Sequence, residues 1–172
     1  MTNVRKITLV RKLLSSALLV CGCLCLFFLD RVDIVMNASK SLEAPAFLML
    51  EHPVLLRRGA VISTNMPAPL RSKFEGLHYV KVIRGLPGER ITMNGDGDPC
   101  IEDNECFPLL YAEGKAIAPS VRPGVIPEDH YAVFGSSADS VDSRYAAIGL
   151  IHRNAIIGRG VAVSWMPDWR DQ

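Results

Sequence analysis

Seventeen consecutive residues, Leu13 to Leu29 (LLSSALLVCGCLCLFFL), carry no charge. About 17–25 predominantly apolar residues span a bilayer as a helix, so this run limits where the rest of the chain can fold. Arg5, Lys6, Arg11 and Lys12 precede it, and Asp30 and Arg31 end it. Basic residues before an apolar segment hold that end in the cytoplasm. The sequence therefore predicts a basic cytoplasmic segment over 1–12, a transmembrane anchor over 13–30 and an external domain over 31–172. Two other readings of the run stay open. A cleaved secretory signal normally has an apolar core of about 7–15 residues and a small-residue cleavage site, and Phe27-Phe28-Leu29 is a poor one. A lipoprotein signal would use Val20-Cys21-Gly22-Cys23, but the apolar run continues past Cys23.

The chain as a whole has the composition and length of one ordinary folded domain: of 172 residues, 49% are hydrophobic and 22% charged,. Nineteen basic against 18 acidic side chains leave a net charge of +1, which gives no footing for nucleic-acid binding. Cys21, Cys23 and Cys25 lie within the apolar run and read as small hydrophobes. Cys100 and Cys106 lie in the polar stretch DPCIEDNECFP. Outside the cytoplasm they are expected to pair as a disulfide; the other reading is two free thiols.

Past the anchor the pattern is one of short strands and Gly/Pro turns. RRGAVIST (57–64) reads as a turn and a strand, LHYVKVI (77–83) as a strand ended by GLPGER, HYAVFGSS (130–137) as a strand with a turn, and IIGRGVAVSW (156–165) as a last strand,. Residues 95–128, rich in Gly, Pro and charge, read as an inserted hairpin region or small subdomain. No long helical period occurs outside the apolar run, so the fold class is mainly β with one N-terminal transmembrane helix.

Lys81 stands in the middle of the LHYVKVI strand. On a strand it shares a face with Tyr79 and Ile83, while Val80, Val82 and Arg84 take the other. A lysine on an edge strand serves to block aggregation. A lysine stripped of water does something else, because desolvation disfavours the ammonium. To act as a base near pH 7–8 it must fall about 2.5–3 units from 10.4, at a cost of about 3.5–4 kcal/mol. Such an amine needs a partner with a proton to give, and serine is the usual one. Ser39 and Ser41 in NASKSLEAP are the candidates; the other reading of that segment is a polar loop.

YVKVIRGLPGER resembles the strand–turn motif of type I signal peptidases, in which a lysine is followed four residues later by Gly-Leu-Pro-Gly-Asp/Glu. GSSADSVDSRY (135–145) is similar to that family's Gly-Asp-Asn-x-x-x-Ser-x-Asp-Ser-Arg box, with Ser140, Asp142, Ser143 and Arg144 on matching positions. AAIGLIHRNAIIGR follows as the family's trailing strand does, and NASKSLEAP resembles its nucleophile segment. The Asn-x-Ser-x-Ser form is most similar to the TraF-type branch, which processes pilin subunits for conjugative transfer and in some members joins the pilin ends into a ring.

The resemblance implies a signal-peptidase-like antiparallel β domain in the periplasm, anchored in a bacterial inner membrane. Ser41 would be the nucleophile and Lys81 its base. Ser39 would donate to the oxyanion, Ser140 would orient the lysine, and Asp142 and Arg144 would form a buried ion pair. It also implies no cofactor and, as partners, a membrane-inserted precursor (a pilin or a secretory preprotein), membrane lipid, and components of a conjugation or secretion machine. The alternatives are a general signal peptidase and an inactive scaffold relative.

Three departures from the pattern stand out. Glu43 lies two residues after Ser41, where an acid either raises the pKa of Lys81 and opposes the mechanism or points to solvent. Ser136-Ser137 replaces the Asp-Asn of the box, and alanines follow Tyr145. His52, His78, His130 and His152 show no metal-ligand spacing. Asp96, Asp98, Glu102, Asp103 and Glu105 form an acidic patch without the spacing of a calcium loop.

Overall fold

The N-terminal run is rich in Leu and contains no proline, a composition that favours helix, and in the computed structural model α1 takes in Thr2–Leu29. The structure describes every residue except Met1, Asp30, Ala38, 52–54, Trp169, Asp171 and Gln172, and within α1 the side chains of 11–26, all exposed. Among the described residues no helix is long and apolar enough to cross a membrane. The anchor expected over 13–30 thus has no support in the structure; its last residue, Asp30, lies outside the described residues, as does His52.

Two units separate at Met1–Asp33 and Ile34–Gln172. The second is mainly β. Its elements follow β1 (Val32–Met36), which begins at the boundary: β2 (Ala46–Glu51), β3 (Val61–Asn65), a single turn of helix α2 (Ala68–Arg71), β4 (His78–Gly85), β5 (Arg90–Met93), β6 (Pro99–Ile101), β7 (Glu105–Cys106), β8 (Tyr111–Ala112), β9 (Lys115–Ala116), β10 (Gly124–Val125), β11 (His130–Phe134), β12 (Ile151–His152) and β13 (Ile156–Ala162). A seven-stranded sheet has the order β1-β2-β13-β3-β4-β11-β12, and a four-stranded sheet the order β10-β5-β6-β7. β8 and β9 form a separate hairpin.

The small sheet takes in β5, which begins before residue 95. Within it Cys100 and Cys106 face each other across β6 and β7 and form a disulfide. The last strand stops at Ala162, three residues short of the expected end.

The strand carrying Lys81 is internal. β4 pairs with β3, Lys81 opposite Ile62, and with β11, Val82 opposite Phe134. The edge-strand reading of Lys81 is therefore excluded. Tyr79 and Ile83 pack into one core with Ile62, Tyr131, Val133 and Ile151, while Val80 packs into another with Val35, Leu42, Phe47 and Met49. A third core joins the two sheets: Ile91, Ile101, Phe107 and Ile126 pack on Ala132 and Phe134 of β11. Gly85, at the end of β4, permits that junction. A Cβ there would stand 2.5 Å from Ile126 Cδ1 and 2.8 Å from Ala132 Cβ.

Candidate active site

The loop between β1 and β2 carries Ser39 and Ser41, and its shape follows from Asn37. That side chain is buried. Its Nδ2 donates to the carbonyls of Leu42 and Ala44, both at 3.0 Å, and its backbone N–H donates to Pro45 O at 2.8 Å. One asparagine at the loop's entry thus ties down its exit, as the short Asx side chain commonly does in turns.

Ser41 is buried and its Oγ lies 2.9 Å from Lys81 Nζ. Ser39 donates its hydroxyl to Ser41 Oγ at 2.9 Å, and the Ser41 N–H points back at Ser39 Oγ at 3.4 Å. The carbonyl of Ser41 is held from the other side by the backbone N–H of Ser136, at 2.8 Å. The residues Ser136-Ser137 that depart from the family pattern therefore touch the loop through main-chain groups, which any side chain supplies.

Lys81 is 5% exposed. Among the described residues Nζ has one hydrogen-bond partner, Ser41 Oγ, and it sits 4.7 Å from the centre of the Tyr79 ring. Burial pushes its pKa down to about 8; the nearby Asp142 and Asp139 carboxylates pull it back up, and Arg144 lowers it further. Desolvation wins because neither carboxylate pairs with the amine. Glu43 is exposed and is not among the charges that act on Lys81, which agrees with the solvent-facing reading of that acid. The Tyr79 hydroxyl donates to Val141 O at 2.9 Å, which ties β4 to the segment after β11.

That segment is organised by a second buried charge. Asp142 and Arg144 are 0% and 2% exposed, with Nε 2.9 Å from Oδ1 and Nη2 3.1 Å from Oδ2. Arg144 Nη1 also donates to the carbonyls of Pro108 and Ala138, both at 2.9 Å, and Asp142 Oδ2 accepts from Gly135 N at 2.9 Å. Ser143 accepts from Val133 N and donates to Gly149 O, pinning the segment to the end of β11. Gly135 closes the arrangement. A Cβ at that position would stand 2.5 Å from the Ser41 carbonyl and run into the Ser140 side chain. The sequence reading assigned no role to Asn37, Tyr79 or Gly135; Asn37 heads NASKSLEAP and Gly135 heads GSSADSVDSRY, which were the signals available.

Ser140 departs from its expected part. Its Oγ is buried and has no hydrogen-bond partner among the described residues, so the bond to Lys81 is not made in this structure. Ser140 nonetheless lines the same cleft as Ser41 and Lys81, whose apolar wall is built by Met66, Leu70, Phe74 and Leu77. Elsewhere, the rings of His130 and His152 meet edge-on at 4.8 Å. Among the described residues no group of three or more His, Cys, Asp or Glu is placed to hold a metal.

Set against known proteins, the chain matches the family model for signal peptidase, peptidase S26, over residues 7–165. A crystal structure of a signal peptidase I from Enterococcus faecalis is 19% identical, over 60% of this chain and 95% of that chain, with a TM-score of 0.37, too low to argue from. No curated protein matches closely enough to count as a relative.

Proposed function

The chain belongs to the signal peptidase family, peptidase S26, and on that premise we propose that it is a membrane-attached serine endopeptidase working through Ser41 and Lys81. The observation that carries the proposal is the 2.9 Å separation of Ser41 Oγ and Lys81 Nζ inside a site where burial holds the amine near pKa 8. At that value a substantial fraction is neutral under physiological conditions.

The geometry supports acyl transfer through a serine. Ser41 Oγ attacks the scissile carbonyl as its proton passes to Lys81 Nζ. The oxyanion that forms draws the Ser39 hydroxyl and the Ser41 N–H away from each other and onto itself; losing one such donor typically costs about 2.7–4 kcal/mol. The Lys81 ammonium then gives its proton to the leaving amine, and the acyl chain stays on Ser41. Water completes hydrolysis; an amine of the same substrate would instead close a ring. The orphaned hydroxyl of Ser140 is available to accept from the ammonium in that second step. Asp142 and Arg144 hold the segment in place.

The substrate we assign is a membrane-inserted precursor, and more narrowly a pilin, because the Asn37-x-Ser39-x-Ser41 form resembles the TraF-type branch. A general signal peptidase acting on many secretory precursors fits the family membership equally. We place the domain on the periplasmic side of a bacterial inner membrane, attached through the apolar run 13–29. The apolar outward residues Ile34, Met36, Leu48, Leu50 and Val161, all exposed, support contact with lipid.

The test is cleavage of radiolabelled precursors by membranes carrying the wild-type chain, Ser41→Ala or Lys81→Ala. Both variants should lose about 10³-fold or more in kcat. Processing that persists in both ends the proposal, and loss of nothing because the wild type is itself inert would point to the scaffold alternative. A panel of one pilin and several secretory precursors separates the narrow substrate reading from the general one. Carbonate extraction tests the attachment.

A further inference from the structure

Beyond the last strand, one side chain reaches back to the loop that bears the serines. The Arg170 side chain is 6% exposed. Its Nη1 donates to Ser39 O at 2.8 Å and to Leu42 O at 2.9 Å, and its Nη2 donates to Glu43 O at 2.6 Å. Asp168 holds it from behind, with Nε 2.7 Å from Oδ1 and Nη2 2.5 Å from Oδ2. Three carbonyls that bracket Ser41 thus converge on one planar fork, while the carbonyl of Ser41 itself is taken by Ser136. We propose that Arg170, backed by Asp168, is a positioning residue that fixes the nucleophile loop in its reactive shape. The inference rests on the reading of Ser41 as nucleophile.

The physical case is one of geometry and of what replaces the contact. Asn37 already secures Leu42 and Ala44. Ser39 O and Glu43 O accept from Arg170, and without it they would turn to water. A planar guanidinium spans several acceptors at fixed angles, whereas an ammonium is a point donor on a flexible stem. The arrangement also depends on Asp168, whose carboxyl the bond from Arg170 holds down at about 2. The carboxylate therefore stays charged, and the clamp stays closed, throughout the range in which Lys81 titrates. Arg170 is not among the charges that act on Lys81, so its effect on the reaction is one of placement. Displacing a reacting atom by about 1 Å can cost about 100-fold in rate.

The experiment uses the full chain with Arg170→Ala, Arg170→Lys and Asp168→Asn, read by steady-state kinetics on a cleaved precursor and by amide hydrogen exchange across residues 37–45. The expected result for Arg170→Ala is a kcat lower by about 10–100-fold, a KM little changed, and an unaltered pH midpoint. Arg170→Lys should fail to restore the rate, and Asp168→Asn should fall between. Exchange should quicken in the loop while β4 and β11 keep their protection. A wild-type kcat with unchanged loop exchange overturns the proposal, and so does loss of protection through the whole sheet, which would make Arg170 a general stabiliser. The exchange measurement is repeated in Ser41→Ala. Should that variant still cleave, the serine reading fails, yet the loop's exchange still decides for or against the clamp.

Discussion

Arg144 and Lys81 are both buried in this domain, and they are treated in opposite ways. Arg144 has a bidentate carboxylate at 2.9 and 3.1 Å and further carbonyls for its remaining donors. Lys81 has one hydroxyl and the face of a tyrosine. The first charge is matched in every direction, so it can stay charged at negligible exposure and serve as a fixed post. The second is deprived of water without being given a carboxylate, so its proton is loosely held. A charge surrounded by acceptors is held in place; a charge left short of them gives up its proton more readily.

Identical substitutions should therefore have opposite consequences. Arg144→Met leaves Asp142 buried and unpaired, and should lower the unfolding free energy by about 3–5 kcal/mol in a urea titration. A loss under 1 kcal/mol would mean that the pair is no more than an ordinary surface contact. Lys81→Met should do the reverse. With a folded pKa of about 8 against about 10.4 unfolded, the unfolded chain binds more protons between those values, so stability rises with pH across that window and the deficit is complete below it. Removing the amine should accordingly stabilise the fold at pH 7 by about 1–3 kcal/mol, a gain that fades toward pH 10, while cleavage is abolished. Destabilisation at pH 7 would show that Lys81 is a structural residue.

Smaller effects sharpen the contrast at Lys81 itself. Asp139 raises its pKa, so Asp139→Asn should lower the midpoint of the kcat/KM profile by less than about 0.5 unit, worth under about 0.7 kcal/mol. Glu43→Gln should leave that midpoint where it is. A shift with Glu43→Gln and none with Asp139→Asn would reverse the assignment of which acid the amine feels.

Much of this was legible in the chain. The run around Lys81 is rich in β-branched residues and bounded by Gly and Pro, and its strand is where the pattern places it. β2 was not legible. AFLMLE has no β-branched residue, and its outward positions Leu48 and Leu50 are as apolar as its inward Phe47 and Met49, so the period-two signal vanishes. The motifs carried Ser41, Lys81, Asp142 and Arg144 because each is short and local. What they could not carry is direction. Glu43 is close to Ser41 in sequence yet exposed, Ser140 sits in the cleft without bonding the amine, and Arg170 reaches Ser39 across 131 positions, a distance over which no local pattern speaks.

The central claim is that the Lys81 amine loses its proton near neutrality. The most direct measurement is a heteronuclear NMR titration of the Lys81 ε-methylene in the folded protein, assigned by its disappearance in Lys81→Arg. The account predicts a midpoint at about 8; a midpoint near 10.4, the value of a solvated lysine, would contradict it.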